Sequence, residues 1–311
     1  MASRPGRGSS SARRFALLLL IAAAPVLHLS AAEKPAVPGA GVIINTAENM
    51  HRRSNAMSDV VSQALLGTNV RVLKTERNSD GEDWSYVETP DTYKGWVIGP
   101  SLRFLKPGDK PYAAQGKIFV VTALLANTYR EPDVTKRKPV KVAPISSALE
   151  VMRDVDERWL EVTLPCGTKA WVQKGDGEIR EGPMVWARLP VQEMVALSKR
   201  FIGLPYLWGG TSPLGFDCSG FVQLIYKMGG IPILRDADIQ FEGSGLVPVP
   251  AGDERAGDLV FFGKNIGHVG MMINAEEFIN ATVHEKPVVQ ISRLKDAYWQ
   301  GIYQGARRSK K

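Results

Sequence analysis

The sequence predicts two small all-β modules followed by an α+β domain. Three observations carry this expectation. Residues 58–182 hold short alternating apolar runs separated by Gly, Asn, Asp and Pro, which is strand and turn chemistry at close spacing. That pattern occurs twice. From Pro190 onward the period changes: helical stripes come first and strands follow, the order of an α+β domain.

The chain has 311 residues, of which 44% are hydrophobic and 23% charged, as expected of a folded protein of two or three domains. Residues 1–32 read as an export signal. Arg4, Arg7, Arg13 and Arg14 precede the apolar stretch Phe15–Leu27, and Ser30-Ala31-Ala32 offers small residues for cleavage. Removing it takes four arginines and no acid, leaving 35 basic against 32 acidic residues, a net charge of +3. With no basic stripe interleaved with aromatics, nucleic acid is not an expected partner. The mature chain has no expected membrane-spanning segment, and it is expected to be periplasmic or extracellular and a monomer.

Residues 33–57, rich in Pro, Ala and Gly, read as a leader. The first β module is expected at 58–108, with strands around 70–73, 84–88 and 95–98. The second is expected at 115–182, with strands around 117–121, 148–152, 159–162 and 169–172. The string DWSYVETPDTYKGWV in the first corresponds to RWLEVTLPCGTKAWV in the second: a Trp opens one strand, a turn follows, and a (Gly/Ala)-Trp-Val strand returns. The tryptophans are expected mainly in the cores.

The α+β domain is expected at 188–311. Apolar residues at 191, 194, 195, 197, 201 and 202 mark a helix stopped by Gly203 and Pro205. Phe221, Val222, Leu224, Ile225 and Met228 mark a second helix, ended by Gly229-Gly230. Strands are expected at 258–262, 268–273, 277–281, 288–292 and 299–306.

Cysteine and histidine are scarce: two and four in the whole chain. Cys218 follows Phe216-Asp217 directly at a helix start. There the positive end of the helix dipole and unpaired N–H groups favour thiolate. The same N–H groups can receive an oxyanion. Cys166 sits in a turn, Leu164-Pro165-Cys166-Gly167-Thr168, and both cysteines are expected to be free. A nucleophile needs a base within reach. His268 opens an apolar strand after a Gly-rich turn, whereas His284 lies in a polar loop, so His268 is the expected base. A hairpin from 268–273 through 277–281 brings Asn280 near His268 as the acceptor that orients its ring; His284 is the rival for that role. No metal or cofactor is called for.

The strings PYLWGGTSPLGFDCSGFVQLIY, GDLVFFG, HVGMMI and FINAT resemble the NlpC/P60 cysteine peptidases, papain-like enzymes acting on bacterial cell-wall peptides. The resemblance covers about residues 190–311. The two β modules resemble bacterial SH3-like (SH3b) barrels, giving an α+β papain-like catalytic domain preceded by two small all-β SH3b barrels. In the family the third catalytic member is often His; here Ile279-Asn280-Ala281 fills that string. The resemblance implies that Tyr206 stands beside the thiol and helps hold the oxyanion.

The whole arrangement resembles the γ-D-glutamyl-L-diamino acid endopeptidase group within that family, of the dipeptidyl-peptidase VI type. In that group the first barrel narrows the cleft and captures the free amine of an N-terminal L-Ala. Carried over by motif, Asp217 and Tyr93 bind the amine. Asp59 stands where Glu is expected, one methylene short. Ser219 and Trp208 line the site. The implied partners are peptidoglycan-derived peptides, cut between γ-D-Glu and an L-diamino acid through an acyl-enzyme on Cys218. Three alternatives remain open at this point: a broader murein endopeptidase on intact stem peptides, a wall-binding SH3b protein without activity, and a lipid acyltransferase on a related scaffold.

Overall fold

The computed structural model describes residues 39–310. The expected export signal, 1–32, lies outside them. The first module contains β1 (Gly39–Ile43), β2 (Ala47–His51), β3 (Val60–Leu65), β4 (Asn69–Arg77), β5 (Asp83–Glu88), β6 (Lys94–Ile98) and β7 (Leu102–Phe104). They form one sheet in the order β3-β2-β6-β5-β4-β1-β7. Every strand sends a side chain into one small core, from Ile43 and Met50 to Val97 and Leu102. One-sided burial from seven short strands is what wraps the sheet around itself.

The reading of 33–57 as a leader needs correction. Strand β1 pairs with β4 and β7, and β2 pairs with β3 and β6, so residues 39–51 are part of the first module. The Val42-Ile43 pair and Met50 are fully buried. Their strand signal is short and sits in a Gly- and Ala-rich context, which hid it.

The second module contains β8 (Lys117–Val121), β9 (Leu125–Tyr129), β10 (Lys141–Pro144), β11 (Ala148–Asp154), β12 (Trp159–Thr163), β13 (Lys169–Gln173) and β14 (Gly177–Glu181). Its sheet order, β10-β9-β13-β12-β11-β8-β14, reproduces the first with each strand advanced by seven. The repeat extends to detail. Each copy shifts register at the same place, between Val72 and Lys74 in one and between Val151 and Arg153 in the other. Trp84 and Trp159 are buried in equivalent strands, while Trp96 and Trp171 are half-buried. Cys166 is exposed and Cys218 buried, and both are free thiols.

The third module opens with α1 (Val191–Lys199), the short hairpin β15 (Thr211–Ser212) and β16 (Gly215–Phe216), and α2 (Cys218–Met228). Then follow α3 (Ala237–Gly243), β17 (Val247–Val249), β18 (Leu259–Phe262), β19 (His268–Met272), β20 (Glu277–Thr282), β21 (Val288–Arg293), α4 (Ala297–Ile302) and β22 (Tyr303–Arg308). The six-stranded antiparallel sheet has the order β17-β22-β18-β19-β20-β21. One face packs on α1 and α2 through Phe221, Val222, Ile225 and Met271. The other buries Phe262, Met272, Phe278 and Trp299 in a separate cluster. The strand expected at 299–306 is instead the helix α4 followed by β22, because Trp299 is drawn into that second cluster. Among the described residues, no helix is long and apolar enough to cross a membrane.

The first module docks on the third through polar contacts from β3 and from the β5–β6 turn. Gln63 Oε1 accepts from Thr211 N (3.1 Å), Ser62 Oγ accepts from Arg235 Nε (2.9 Å), and Gln223 Nε2 donates to Asp91 (2.9 Å).

Candidate active site

Cys218 is the first residue of α2, and Asp217 is its N-cap. The Asp217 Oδ1 accepts from Gly220 N (2.7 Å), satisfying one of the free N–H groups of the first turn. Phe221 N reaches the Asp217 carbonyl; the N–H groups of Cys218 and Ser219 make no backbone bond, and that of Ser219 faces the thiol. Gly220 is required here: a Cβ would stand 2.3 Å from the Gly210 carbonyl. That close approach seats the Trp208-Gly209-Gly210 turn over the helix start.

The sulfur lies 4.0 Å from the Gly267 carbonyl, immediately before His268. Strands β19 and β20 pair with Met271 opposite Ile279, which sets Asn280 diagonally across from His268 on the same face. The His268 Nε2 to Asn280 Oδ1 distance is 2.9 Å. Gly270 makes that reach possible: a Cβ there would meet the Phe278 ring at 2.4 Å and the Asn280 Cβ at 3.1 Å. Asn280 is fully buried, and its Nδ2 donates to the Gln290 carbonyl (3.3 Å) and Ser292 Oγ (3.1 Å). A carbonyl can only accept, so the amide oxygen must face His268 and His268 Nε2 must carry the proton. The Nδ1 is left as the basic nitrogen. Trp299 stacks on the imidazole (5.2 Å, 24°), and Phe262 closes its other neighbourhood (5.9 Å). His284 stacks on Tyr298 instead and does not take the place of Asn280.

One expectation meets an opposing effect. The helix start alone favours thiolate, yet burial pushes the Cys218 thiol up to about 12, with the charge of Asp217 adding to it. The backbone N–H groups of Val269 and Ser219 and the charge of Arg235 act in the opposite sense but are weaker. Burial likewise holds His268 down to about 4, against the Asn280 bond and the Asp217 charge. Burial thus favours the neutral form of each group. Removal from water outweighs the helix-end field here.

The amine-binding set also reads differently in three dimensions. Asp217 is occupied. Arg235, only 1% exposed, donates from Nη1 to Asp217 Oδ1 (3.1 Å) and from Nη2 to Oδ2 (2.7 Å), and Gly209 N adds a bond to Oδ2 (3.0 Å). Ser219 Oγ accepts from the same Arg235 Nη1 (2.8 Å). Both side chains thus brace the helix start. Asp59 stands in solvent and pairs with Arg52 (3.3 Å). Tyr93 reaches the third module, where its partner is Asp236: the phenol donates to Oδ2 at 2.9 Å. Burial raises the Asp236 carboxyl, with Tyr93 and Arg235 opposing. Tyr206 is half-buried; after burial itself, Cys218 is the next influence raising its phenol, which places it beside the thiol. Trp208 is 69% exposed on the turn above.

Arg235, Asp236 and Trp299 escaped the sequence reading. The first two lie in Leu234-Arg235-Asp236-Ala237, a charged step before a short helix with no motif around it.

Comparisons with known proteins address the family. The NlpC/P60 family pattern matches residues 203–308. A γ-D-glutamyl-L-lysine dipeptidyl-peptidase of Bacillus cereus (strain ATCC 10987 / NRS 248) is 33% identical over 264 residues, covering 79% of this chain and 74% of its own. Dipeptidyl-peptidase 6 of Lysinibacillus sphaericus is 25% identical over 245 residues, covering 78% of this chain and 87% of its own. The crystal structure of an NlpC/P60 family protein from Bacillus cereus ATCC 10987 superposes with a TM-score of 0.73 at 26% identity, over 87% of this chain and 99% of that one. With a buried thiol at a helix start, an oriented imidazole on the neighbouring strand and relatives matched across most of their length, the chain belongs to the NlpC/P60 family.

Proposed function

We propose that this protein is an exported cysteine peptidase that hydrolyses the bond between γ-D-Glu and an L-diamino acid in peptidoglycan peptides bearing a free N-terminal L-Ala. The observation that carries the chemistry is the His268–Asn280 contact of 2.9 Å, which fixes the ring tautomer with Nδ1 as base beside the helix that starts at Cys218. Cys218 gives its proton to His268 Nδ1 and its sulfur attacks the γ-carbonyl of D-Glu. The N–H groups of Cys218 and Ser219, with the Tyr206 hydroxyl, receive the oxyanion. His268 then protonates the leaving amine of the diamino acid. Water, deprotonated by the same imidazole, releases the acyl group from sulfur. The neutral forms that burial favours suit this sequence: proton transfer leaves the net charge of the site unchanged and occurs when a carbonyl is in place to take the electron pair.

Selection for a free amine is assigned to Tyr93 and Asp236. Asp217 has its charge matched by Arg235, so a substrate ammonium gains little there. Asp236 is held by Tyr93 from the first module, and burial makes its carboxylate costly until a cation arrives. A blocked amine leaves that carboxylate unmatched, a cost of about several kcal/mol. Relatives named as γ-D-glutamyl-L-lysine dipeptidyl-peptidase and dipeptidyl-peptidase 6 support the same reading.

The test is mass spectrometry of L-Ala-γ-D-Glu-diaminopimelate, free and N-acetylated, after incubation with the mature chain and with Cys218→Ala. Release of L-Ala-D-Glu from the free peptide only, lost in Cys218→Ala with peptide binding retained, is the expected result. Equal rates on both peptides would point to an endopeptidase on intact stems and remove Tyr93 and Asp236 from their role.

A further inference from the structure

A cavity of about 460 Å³ lies where the three modules meet. The helix α2 supplies one wall through Gly220, Gln223, Leu224 and Lys227. At about 3.6 residues per turn these four form one stripe on the side of α2 facing away from Cys218. The cavity is therefore behind the nucleophile helix and is not the substrate cleft. Leu66 of the first module, Met184 of the connection and Ile233 supply apolar walls.

Its polar lining is unevenly matched. Ser146, Ser147 and Trp186 line it, and the Oγ of each serine and the indole Nε1 are buried with no hydrogen-bond partner. Unmatched buried polar groups are uncommon in native proteins and call for an explanation. Lys227 lines the cavity with an exposed side chain, and the protein packed around it lowers its ammonium pKa. The one charge acting on it is Asp91. That carboxylate already accepts from Thr89 Oγ1 and Gln223 Nε2. Among the described residues the cavity thus collects a cation, an indole N–H and two hydroxyls, facing as side-chain acceptors the Gln223 Oε1 and the remaining lone pairs of Asp91, so donors outnumber acceptors. Its volume is in the ordinary range for small-molecule sites. A bare inorganic anion would satisfy the donors but leave the apolar walls uncovered.

We propose that this cavity is a second binding site, separate from the Cys218 cleft, for a small carboxylic acid carrying a short apolar body. The carboxylate meets Lys227 and the free donors; the body covers Leu66, Met184 and Ile233. Bound there, the ligand touches all three modules at once.

The experiment titrates the full chain, labelled with ¹⁵N at tryptophan, with hexanoate and with its neutral isostere hexanamide. The Trp186 indole signal is identified by its loss in Trp186→Phe. A saturable shift of that signal by hexanoate at about millimolar concentration is expected, with hexanamide weaker by about ten-fold. Lys227→Met should abolish the preference and Lys227→Arg should keep it, while peptide turnover in both stays at the wild-type level. The same shift in Cys218→Ala separates this site from the cleft. Equal responses to acid and amide, or an unchanged preference in Lys227→Met, would make the cavity a plain apolar void. No response up to tens of millimolar would make it a water-filled space only, and either result overturns the proposal.

Discussion

His268 shows how much one residue's burial decides. The imidazole is held neutral down to about pH 4 in the folded chain, against an ordinary value of 6.5. Between those values the unfolded chain binds a proton that the native chain refuses. Stability from this residue is therefore full above pH 6.5 and is lost as pH falls toward 4, by up to about 3 kcal/mol. Urea unfolding at pH 7 and pH 4.5 should show that loss in the wild type, and His268→Gln should flatten it. An unchanged slope in the variant would place the acid sensitivity elsewhere. At this scale the sequence was informative for the rare residues. Cys218, His268 and Asn280 could be picked because glycines, turns and alternation framed them. Their protonation could not, since desolvation depends on everything packed around them, including Trp299 from a helix some thirty residues away in the chain.

Elements carry the next layer. The start of α2 is tied to the Trp208-Gly209-Gly210 turn and to Arg235 through a single carboxylate, Asp217. Replacing Arg235 with Met removes one partner of a buried pair and leaves the other uncompensated. A loss of about 3–5 kcal/mol is expected, read as a lowered urea midpoint. Arg235→Lys should recover part of it. A cost below about 1 kcal/mol would mean that Asp217 finds solvent and that the brace is dispensable. The β5–β6 turn offers the opposite case. Thr92 adopts φ +68°, a left-handed conformation that a β-branched residue rarely takes. Thr92→Gly should be neutral to stabilising by about 1 kcal/mol. A clear destabilisation would show that the threonine side chain earns its position through contacts. Strands with alternating burial were legible from the sequence, as in β6 and β13. The strand expected at 299–306 was not, because the apolar spacing of Trp299, Ile302 and Tyr303 serves a helix turn and a strand equally well until the sheet below chooses.

At the scale of the whole molecule, the proposed amine site is shared between modules. Tyr93 belongs to the first module and Asp236 to the third, so neither module alone holds the amine site assigned above. Tyr93→Phe should raise KM for the free-amine peptide by about ten-fold or more with little change in kcat, and leave the N-acetylated peptide unaffected. Equal effects on both peptides would mean that Tyr93 only positions Asp236. The repeated modules were visible as a repeated string, but their docking was not, since it rests on single polar contacts such as Ser62 to Arg235 that no periodicity announces. The two copies close the same turn in the same way: Thr92 N bonds to the Thr89 carbonyl in one, and Gly167 N to the Leu164 carbonyl in the other. Asp91 and Tyr93 occupy the tip of the first; Cys166 and Thr168 occupy it in the second and face solvent. The hairpin proposed as the specificity finger is thus one of two like hairpins, and the other closes the same turn with its tip in solvent. Grafting Asp and Tyr onto the sibling would recreate the finger's chemistry without its address.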